Sequence, residues 1–185
     1  MKRFSQRIGA AETPSVIQMD AMSDALRNSI WNFIVSLFDD GESGWRTIAE
    51  HSAQFFFKLP VDELPPYNLR RREWIKAHFY ALKWYEAYDY AEFVAVNYER
   101  ARRQTPISKD RIQAFFNRIF AEELSGYRFV AGELTPISGP EEVAAIEGAL
   151  SLTSRTGLTG AHGHVAAALQ LLAKRPSPDY RNSIK

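Results

Sequence analysis

Apolar residues recur at helical spacing through the first third of the chain. Residues 23–38 carry an apolar stripe at three- and four-residue steps, with Ser23 placed to cap the helix and Asp39-Asp40-Gly41 to end it. A second stripe predicts a helix over residues 44–59, which Pro60 stops. Each helix would bury one face against a core. The two stripes consist of Leu26, Ile30, Phe33, Ile34 and Leu37, and of Trp45, Ile48, Ala49, Phe55, Phe56 and Leu59.

The middle of the chain is apolar on almost every side of its predicted helix. An extended connector over residues 61–67, with Pro65 and Pro66, leads into a helical pattern over residues 68–103. A helix without a polar face is typical of the centre of a bundle. Its length, well above the usual ~11–12 residues, favours a kink or break near residues 87–89.

A capped helix and a hairpin follow. Ser108 is the expected N-cap of a helix over residues 108–124, and Ser125-Gly126 closes it. Residues 127–130 and 133–135 flank Ala131-Gly132 as in a short β-hairpin. Alanine is unfavourable at the first position of a type I′ turn, so a bulged or longer loop is compatible with this sequence.

Two further helices are predicted near the end. Ser138 and Glu141 form a capping box that opens one of them, and a Gly/Thr-rich link over residues 153–160 leads into the other, which contains Val165, Leu169 and Leu172. The resulting fold class is mainly α, a multi-helix bundle with one small β-hairpin.

The last ten residues start a helix that the chain is too short to finish. Ser177 suits the N-cap, Pro178 the first helical position, and Asp179 adds a carboxylate to the first turn. A helix of one or two turns is marginal on its own in water. We therefore expect residues 1–175 to form one helical domain and residues 176–185 to be the first turns of a following domain.

Composition excludes several classes of site. The chain has no cysteine, which removes disulfides, thiol nucleophiles and Cys-ligated metal centres. No apolar stretch approaches the ~20 residues that span a bilayer, so no membrane association and a cytoplasmic location are expected. Neighbouring carboxylates such as Glu122-Glu123 do not face each other on a helix, and no phosphate-binding loop or nucleophile elbow occurs. No cofactor is expected.

Positive charge is concentrated in the middle of a nearly neutral chain. The whole chain has a net charge of +1, whereas residues 68–118 alone carry 11 basic and 6 acidic side chains. Arginines at a helix N-terminus oppose the helix dipole, so phosphate contact or pairing with acidic residues of a neighbouring domain would explain them; a solvated rim is the alternative. The candidate anion-binding or partner surface comprises Arg70, Arg71, Arg72, Lys76, Arg100, Arg102 and Arg103.

The histidines indicate a ribonuclease site or a metal site only weakly. One ribonuclease class uses an arginine to hold phosphate and a histidine, separated from it by four to six intervening residues, to move a proton. That spacing occurs in Arg46/His51, Arg72/His78 and Arg155/His162, and also in Arg71/His78, but His78 lies on an apolar stripe that favours a core role. His162 and His164 would point about 200° apart on a helix, so no metal site is expected.

Four segments in order resemble one known family. They are 26–32 (LRNSIWN), 84–93 (WYEAYDYAEF), 124–130 (LSGYRFV) and 178–185 (PDYRNSIK). Together they resemble the N-terminal domain, of the fourth type, of AbiJ-like abortive-infection proteins, over about residue 4 to the last residue. Ala131 departs from the asparagine usual in that hairpin, and His162-Gly163-His164 is not a feature of the family.

The resemblance implies a function that residue chemistry alone does not. In that family the domain precedes a HEPN domain, a helical bundle that typically acts as a metal-independent ribonuclease in defence against phage, and residues 180–185 resemble its opening. The implied role is a non-catalytic sensor or regulatory module, responding to a phage-derived or nucleic-acid signal, with the C-terminal HEPN domain as partner and homodimerisation through that domain. A self-contained HEPN-like ribonuclease using Arg46/His51 or Arg72/His78 is one alternative, and a nucleic-acid-binding module using residues 70–76 and 100–103 is another.

Overall fold

The computed structural model describes residues 4, 8, 17–39, 42–101, 107–130 and 132–137, with the side chains of residues 42, 43 and 99–101 left out. Within these ranges the chain forms five α-helices and a two-stranded antiparallel hairpin, which confirms the mainly α class. The predicted helices after residue 138, the link over residues 153–160 and the terminal segment 176–185 lie outside the described residues. The expected division at residue 175 therefore stays a prediction.

The elements follow one another in a simple order. Two irregular pieces separate α2 from α3, a π-helical segment at Ser52–Phe57 and a 3-10 turn at Val61–Glu63. The α-helices are α1 Asp24–Phe38, α2 Glu42–His51, α3 Asn68–Ala81, α4 Trp84–Ala101 and α5 Lys109–Glu122, and the strands are β1 Tyr127–Val130 and β2 Glu133–Pro136.

Helix α1 forms as its sequence predicts. The Ser23 hydroxyl accepts a hydrogen bond from the Leu26 amide at 3.2 Å, which satisfies one of the amide groups left unpaired at a helix N-terminus. Asp39 is the C-cap, and its amide donates to the Val35 carbonyl at 3.0 Å. Leu26, Ile30 and Ile34 are fully buried, as the stripe requires.

The second predicted helix is regular only in its first half. The α-helical hydrogen bonding ends at His51 and continues as π-helix through Phe57, after which Lys58 adopts a left-handed conformation with φ of 56°. Hydrogen bonds from residue i to i+5 widen the turn, so later residues fall out of phase with the α-helical stripe. The expectation that Phe55 and Leu59 share the buried face is therefore wrong, since they are 51% and 38% exposed.

The long central helix is broken earlier than its length suggested. The break lies at Leu82, whose ψ of 144° is extended, whereas residues 87–89 are regular helix inside α4. The Lys83 amide donates to the Glu86 carboxylate at 2.8 Å, which caps the new N-terminus and fixes the break there. Tyr85 and Val96 are exposed, so α4 has a solvent face after all.

The chain divides into two compact units, residues 20–119 and residues 1–19 with 120–185. In the first unit α2 packs on α3 and α4, and α1 packs on α4. Tyr90 is central to this core, and its hydroxyl forms a 2.9 Å hydrogen bond with that of Ser52. Burial raises the pKa of Tyr90 well above its ordinary value, with the Ser52 bond acting in the opposite direction, so the phenol stays neutral. The aromatic rings around Tyr90 belong to Phe56, Phe57, Phe79 and Phe93.

The hairpin in the second unit is confirmed. Val130 pairs with Glu133 and Tyr127 with Pro136. Gln18 extends this structure, since its amide donates to Leu124 at 2.9 Å and its carbonyl accepts from Gly126 at 2.9 Å. An added Cβ on Gly126 would overlap the Met19 sulfur and lie 3.2 Å from the Gln18 carbonyl oxygen, so this close approach of backbone to backbone favours glycine.

Candidate functional site

The predicted cationic surface begins at the first turns of α3. Among the arginines of this surface whose side chains the structure describes, Arg71 is the least accessible, with only 13% of its side chain exposed. Its Nε donates to the Pro65 carbonyl at 2.7 Å, and its Nη1 donates to Glu50 Oε1 at 3.0 Å and to the Arg46 carbonyl at 3.5 Å. Arg71 therefore ties α3 to α2 and to the connector that precedes α3.

Glu50 is the carboxylate that forms the ion pair with Arg71. Its Oε1 also accepts from Arg46 Nε at 3.3 Å, one turn away on α2. Two arginines thus share one acceptor, and the pair with Arg71 is the more buried of the two. Salt screens a partly buried ion pair less than an exposed one. The Arg71–Glu50 pair therefore stabilises the fold, and its charges are less available at the outer surface.

Arg72 forms a similar ion pair with Asp39, the C-cap residue of α1. Its Nη1 donates to Asp39 Oδ1 at 3.3 Å, and the Trp45 indole donates to the same oxygen at 3.4 Å. Asp39, predicted only as a helix terminator, therefore also links α1 to α2 and α3. The arginines at 71 and 72 pair with carboxylates of their own structural unit.

Arg70 and Lys76 are the exposed members of the predicted surface. The Lys76 ammonium lies 5.7 Å from the centroid of the Tyr80 ring, whose hydroxyl donates to Asn28 Oδ1 at 2.6 Å. Burial raises the pKa of Tyr80, so Lys76 faces a neutral ring. Arg100 belongs to α4 but its side chain is outside the described part of the chain, as are Arg102 and Arg103 altogether.

His78, of the Arg72/His78 and Arg71/His78 pairs, has hydrogen-bond and ring partners of its own. His78 Nδ1 donates to the Trp74 carbonyl at 2.8 Å, and its ring lies 4.0 Å from the Trp74 ring and 5.0 Å from the Phe57 ring. The core role favoured by its stripe is thus consistent with the packing. Since Arg72 is directed to Asp39, the two side chains of the Arg72/His78 pair have separate partners.

His51 differs from His78. Its Nδ1 is buried without a hydrogen-bond partner among the described residues, and its ring meets the Phe55 ring edge-on at 5.7 Å. Arg46 of the same pair is bonded to Glu50. The Arg155/His162 pair lies outside the described residues, as does His164.

Helix α5 carries a site that the sequence analysis missed. Arg111, Ala114, Phe115 and Arg118 line an open depression of about 190 Å³. The Arg118 guanidinium carbon lies 4.4 Å from the centroid of the Phe115 ring, and that ring stacks on Phe33 at 5.2 Å. The spacing of 111, 115 and 118, which places all three on one helix face, is the signal that could have revealed it.

Metal-binding clusters and membrane-spanning helices are both absent from the described residues. In the described ranges, no cluster of three or more His, Asp or Glu residues could hold a metal ion. None of the helices there is both long enough and apolar enough to cross a membrane.

Comparison with known proteins gives the family. The model of a family described as AbiJ N-terminal domain 4 matches residues 2–152. The same comparison found no similar curated protein and no similar solved structure. Because the match covers most of the chain and includes the helices and the hairpin described above, the chain belongs to the AbiJ N-terminal domain 4 family.

Proposed function

We propose that this chain is a non-catalytic sensor or regulatory module of an abortive-infection protein. Its output would be a HEPN ribonuclease domain that follows it in the full-length protein. Membership of the AbiJ N-terminal domain 4 family supports the association with abortive infection. The observation that carries the non-catalytic role is that Arg72 and His78, the best-described Arg/His pair, are each bonded to a different group of their own unit.

The chemistry of an Arg/His ribonuclease explains why this observation matters. The guanidinium has to hold a phosphate while the imidazole moves a proton at the same reacting group. Arg72 would have to leave Asp39, and His78 would have to leave Trp74, to act together. Arg46 and Arg71 share Glu50 and would need the same release.

The proposed function includes a signal, a cellular location and an oligomeric state. The signal would be phage-derived or a nucleic acid, and the module would act in the cytoplasm. The full-length protein would form a homodimer through its HEPN domain. Exposed aromatic and aliphatic side chains near the π-helical segment, Phe55, Leu59, Val61, Tyr67 and Leu69, are compatible with contact to another domain.

An RNA cleavage assay separates the regulatory module from the self-contained enzyme. The purified 185-residue chain should leave labelled RNA intact, whereas the full-length protein should cleave it. Variants His51→Ala and His78→Ala, checked for folding by circular dichroism, are the controls. Cleavage by the 185-residue chain that disappears in a folded His51→Ala or His78→Ala variant would overturn the proposal.

Regulation needs a second comparison. The ribonuclease domain alone and the full-length protein should cleave the same RNA at different rates, because a regulatory module changes the activity of its partner. Equal rates, with and without a phage-infected extract, would contradict a sensor or restraining role.

A further inference from the structure

Two arginines on α5 differ from the ion-paired arginines of α2 and α3. Arg46, Arg71 and Arg72 pair with Glu50 or Asp39 at 3.0–3.3 Å. Neither Arg111 nor Arg118 forms an ion pair within the described part of the chain, and both are exposed. Among the described residues, no carboxylate neutralises the positive charge on this face of α5, so an external anion could contact it.

The shape of the face adds a second requirement on the ligand. Arg111 and Arg118 are seven residues apart, about 10 Å along a helix axis, and Phe115 lies between them. Phe115 is 39% exposed and is held by its stack on Phe33, with an interplanar angle of 11°. The Arg118 guanidinium carbon lies 4.4 Å from the Phe115 centroid, so the guanidinium and the fixed ring together offer a planar stacking surface and anion-binding groups within one small depression.

We propose that Arg111, Phe115 and Arg118 form a binding site for a nucleoside phosphate, either free or as one unit of a single strand. Guanidinium groups bind phosphate oxygens through paired N–H donors, and both phenylalanine rings and guanidinium planes stack on nucleobases. The open depression, at about 190 Å³, is smaller than the ~300 Å³ of the smallest typical ligand pockets, so it would hold the base or the phosphate of one nucleotide and leave the rest in solvent. An acidic peptide would satisfy the arginines but would make no use of the planar stacking surface.

For RNA the inference deepens the proposed nucleic-acid signal and rests on the proposed function, but binding can be measured on this chain with no ribonuclease present, so the two can fail separately. ADP, pyrophosphate and an RNA octanucleotide should be titrated into the 185-residue chain by calorimetry at low salt. We expect saturable binding of ADP or of the octanucleotide that weakens as salt rises. Tighter binding of ADP identifies the free nucleotide as the ligand, and tighter binding of the RNA identifies the strand.

Variants of the depression test the residues. Arg111→Gln and Arg118→Gln should each weaken binding by about tenfold or more, as expected for loss of a charge-assisted contact. Arg70→Gln removes the same charge from an exposed position on α3 and should leave the affinity unchanged. Phe115→Leu should weaken nucleotide binding but not pyrophosphate binding.

Loss of folding is excluded with a further variant. Ala114→Glu leaves the Phe33–Phe115 stack in place and adds a negative charge to the exposed lining, so it should abolish binding without altering the circular dichroism spectrum. Absence of saturable binding, equal weakening by Arg70→Gln, or equal loss of pyrophosphate and nucleotide binding in Phe115→Leu would each overturn the proposal. Binding of an acidic peptide in preference to both nucleotides would do so too.

Discussion

Two neighbouring arginines at the start of α3 have different structural roles. Arg70 is exposed, whereas Arg71 is largely buried and bonded to Pro65 and Glu50. The sequence shows only a run of three basic residues, because the partners of Arg71 lie 6 and 21 positions earlier in the chain. Which members of the run face outward depends on these distant partners and is not contained in the local sequence.

This difference predicts the stability of two variants. Arg71→Ala should lower the free energy of unfolding by about 1.5–3 kcal/mol, because it removes charge-assisted hydrogen bonds and leaves the Pro65 carbonyl with one donor fewer. Arg70→Ala, the matched control, should change it by less than about 0.5 kcal/mol. Urea unfolding followed by circular dichroism measures both. Equal effects of the two substitutions would contradict the assigned roles.

At the scale of elements, local signals were sufficient where they were strong. Ser23 capped α1 as predicted, and the alternation around residues 131–132 predicted the hairpin. Two features were missed. The π-helical segment Ser52–Phe57 contains apolar residues that fit either a helical stripe or a wider turn, and the break at Leu82 depends on one cap, Glu86, within a continuous helical pattern. Hydrophobic periodicity does not distinguish these cases.

The end of the π-helical segment predicts an unusual effect of glycine. Lys58 has a φ of 56°, a left-handed conformation that costs an L-residue about 1–2 kcal/mol. Lys58→Gly should remove that cost, less the added entropy of the unfolded chain, and raise the unfolding free energy by about 0.5–1 kcal/mol. Gln54→Gly, at an exposed position inside the same segment, should lower it by about 1 kcal/mol. Thermal melts of the two variants should shift in opposite directions, and shifts of the same sign would contradict the assigned backbone conformation.

At the scale of the whole molecule, the two compact units differ in how the chain builds them. Residues 20–119 are continuous in sequence, whereas the other unit joins residues 1–19 to residues 120–185. In that second unit, hydrogen bonds from Gln18 to Leu124 and from Tyr127 to Met19 link segments more than 100 residues apart. Loop-closure entropy opposes such distant contacts until the intervening chain is folded. We therefore infer that the continuous unit can fold without the other.

A fragment tests this inference directly. Residues 20–125 contain α1 to α5 together with the Ser125–Phe120 hydrogen bond that closes α5. The fragment keeps the packing of α2 on α3 and α4 and the buried Ser52–Tyr90 pair, so it should show a helical spectrum and a single cooperative thermal transition. Residues 1–119 form the matched control, since there Gln18 and Met19 lack their partners at 123–127. Protease should therefore remove residues 1–19 quickly from this control but slowly from the 185-residue chain, where residues 17–19 are bonded. A fragment of residues 20–125 that melts without cooperativity would show that the first unit depends on the second, because its core would then be incomplete without residues supplied from both ends of the chain.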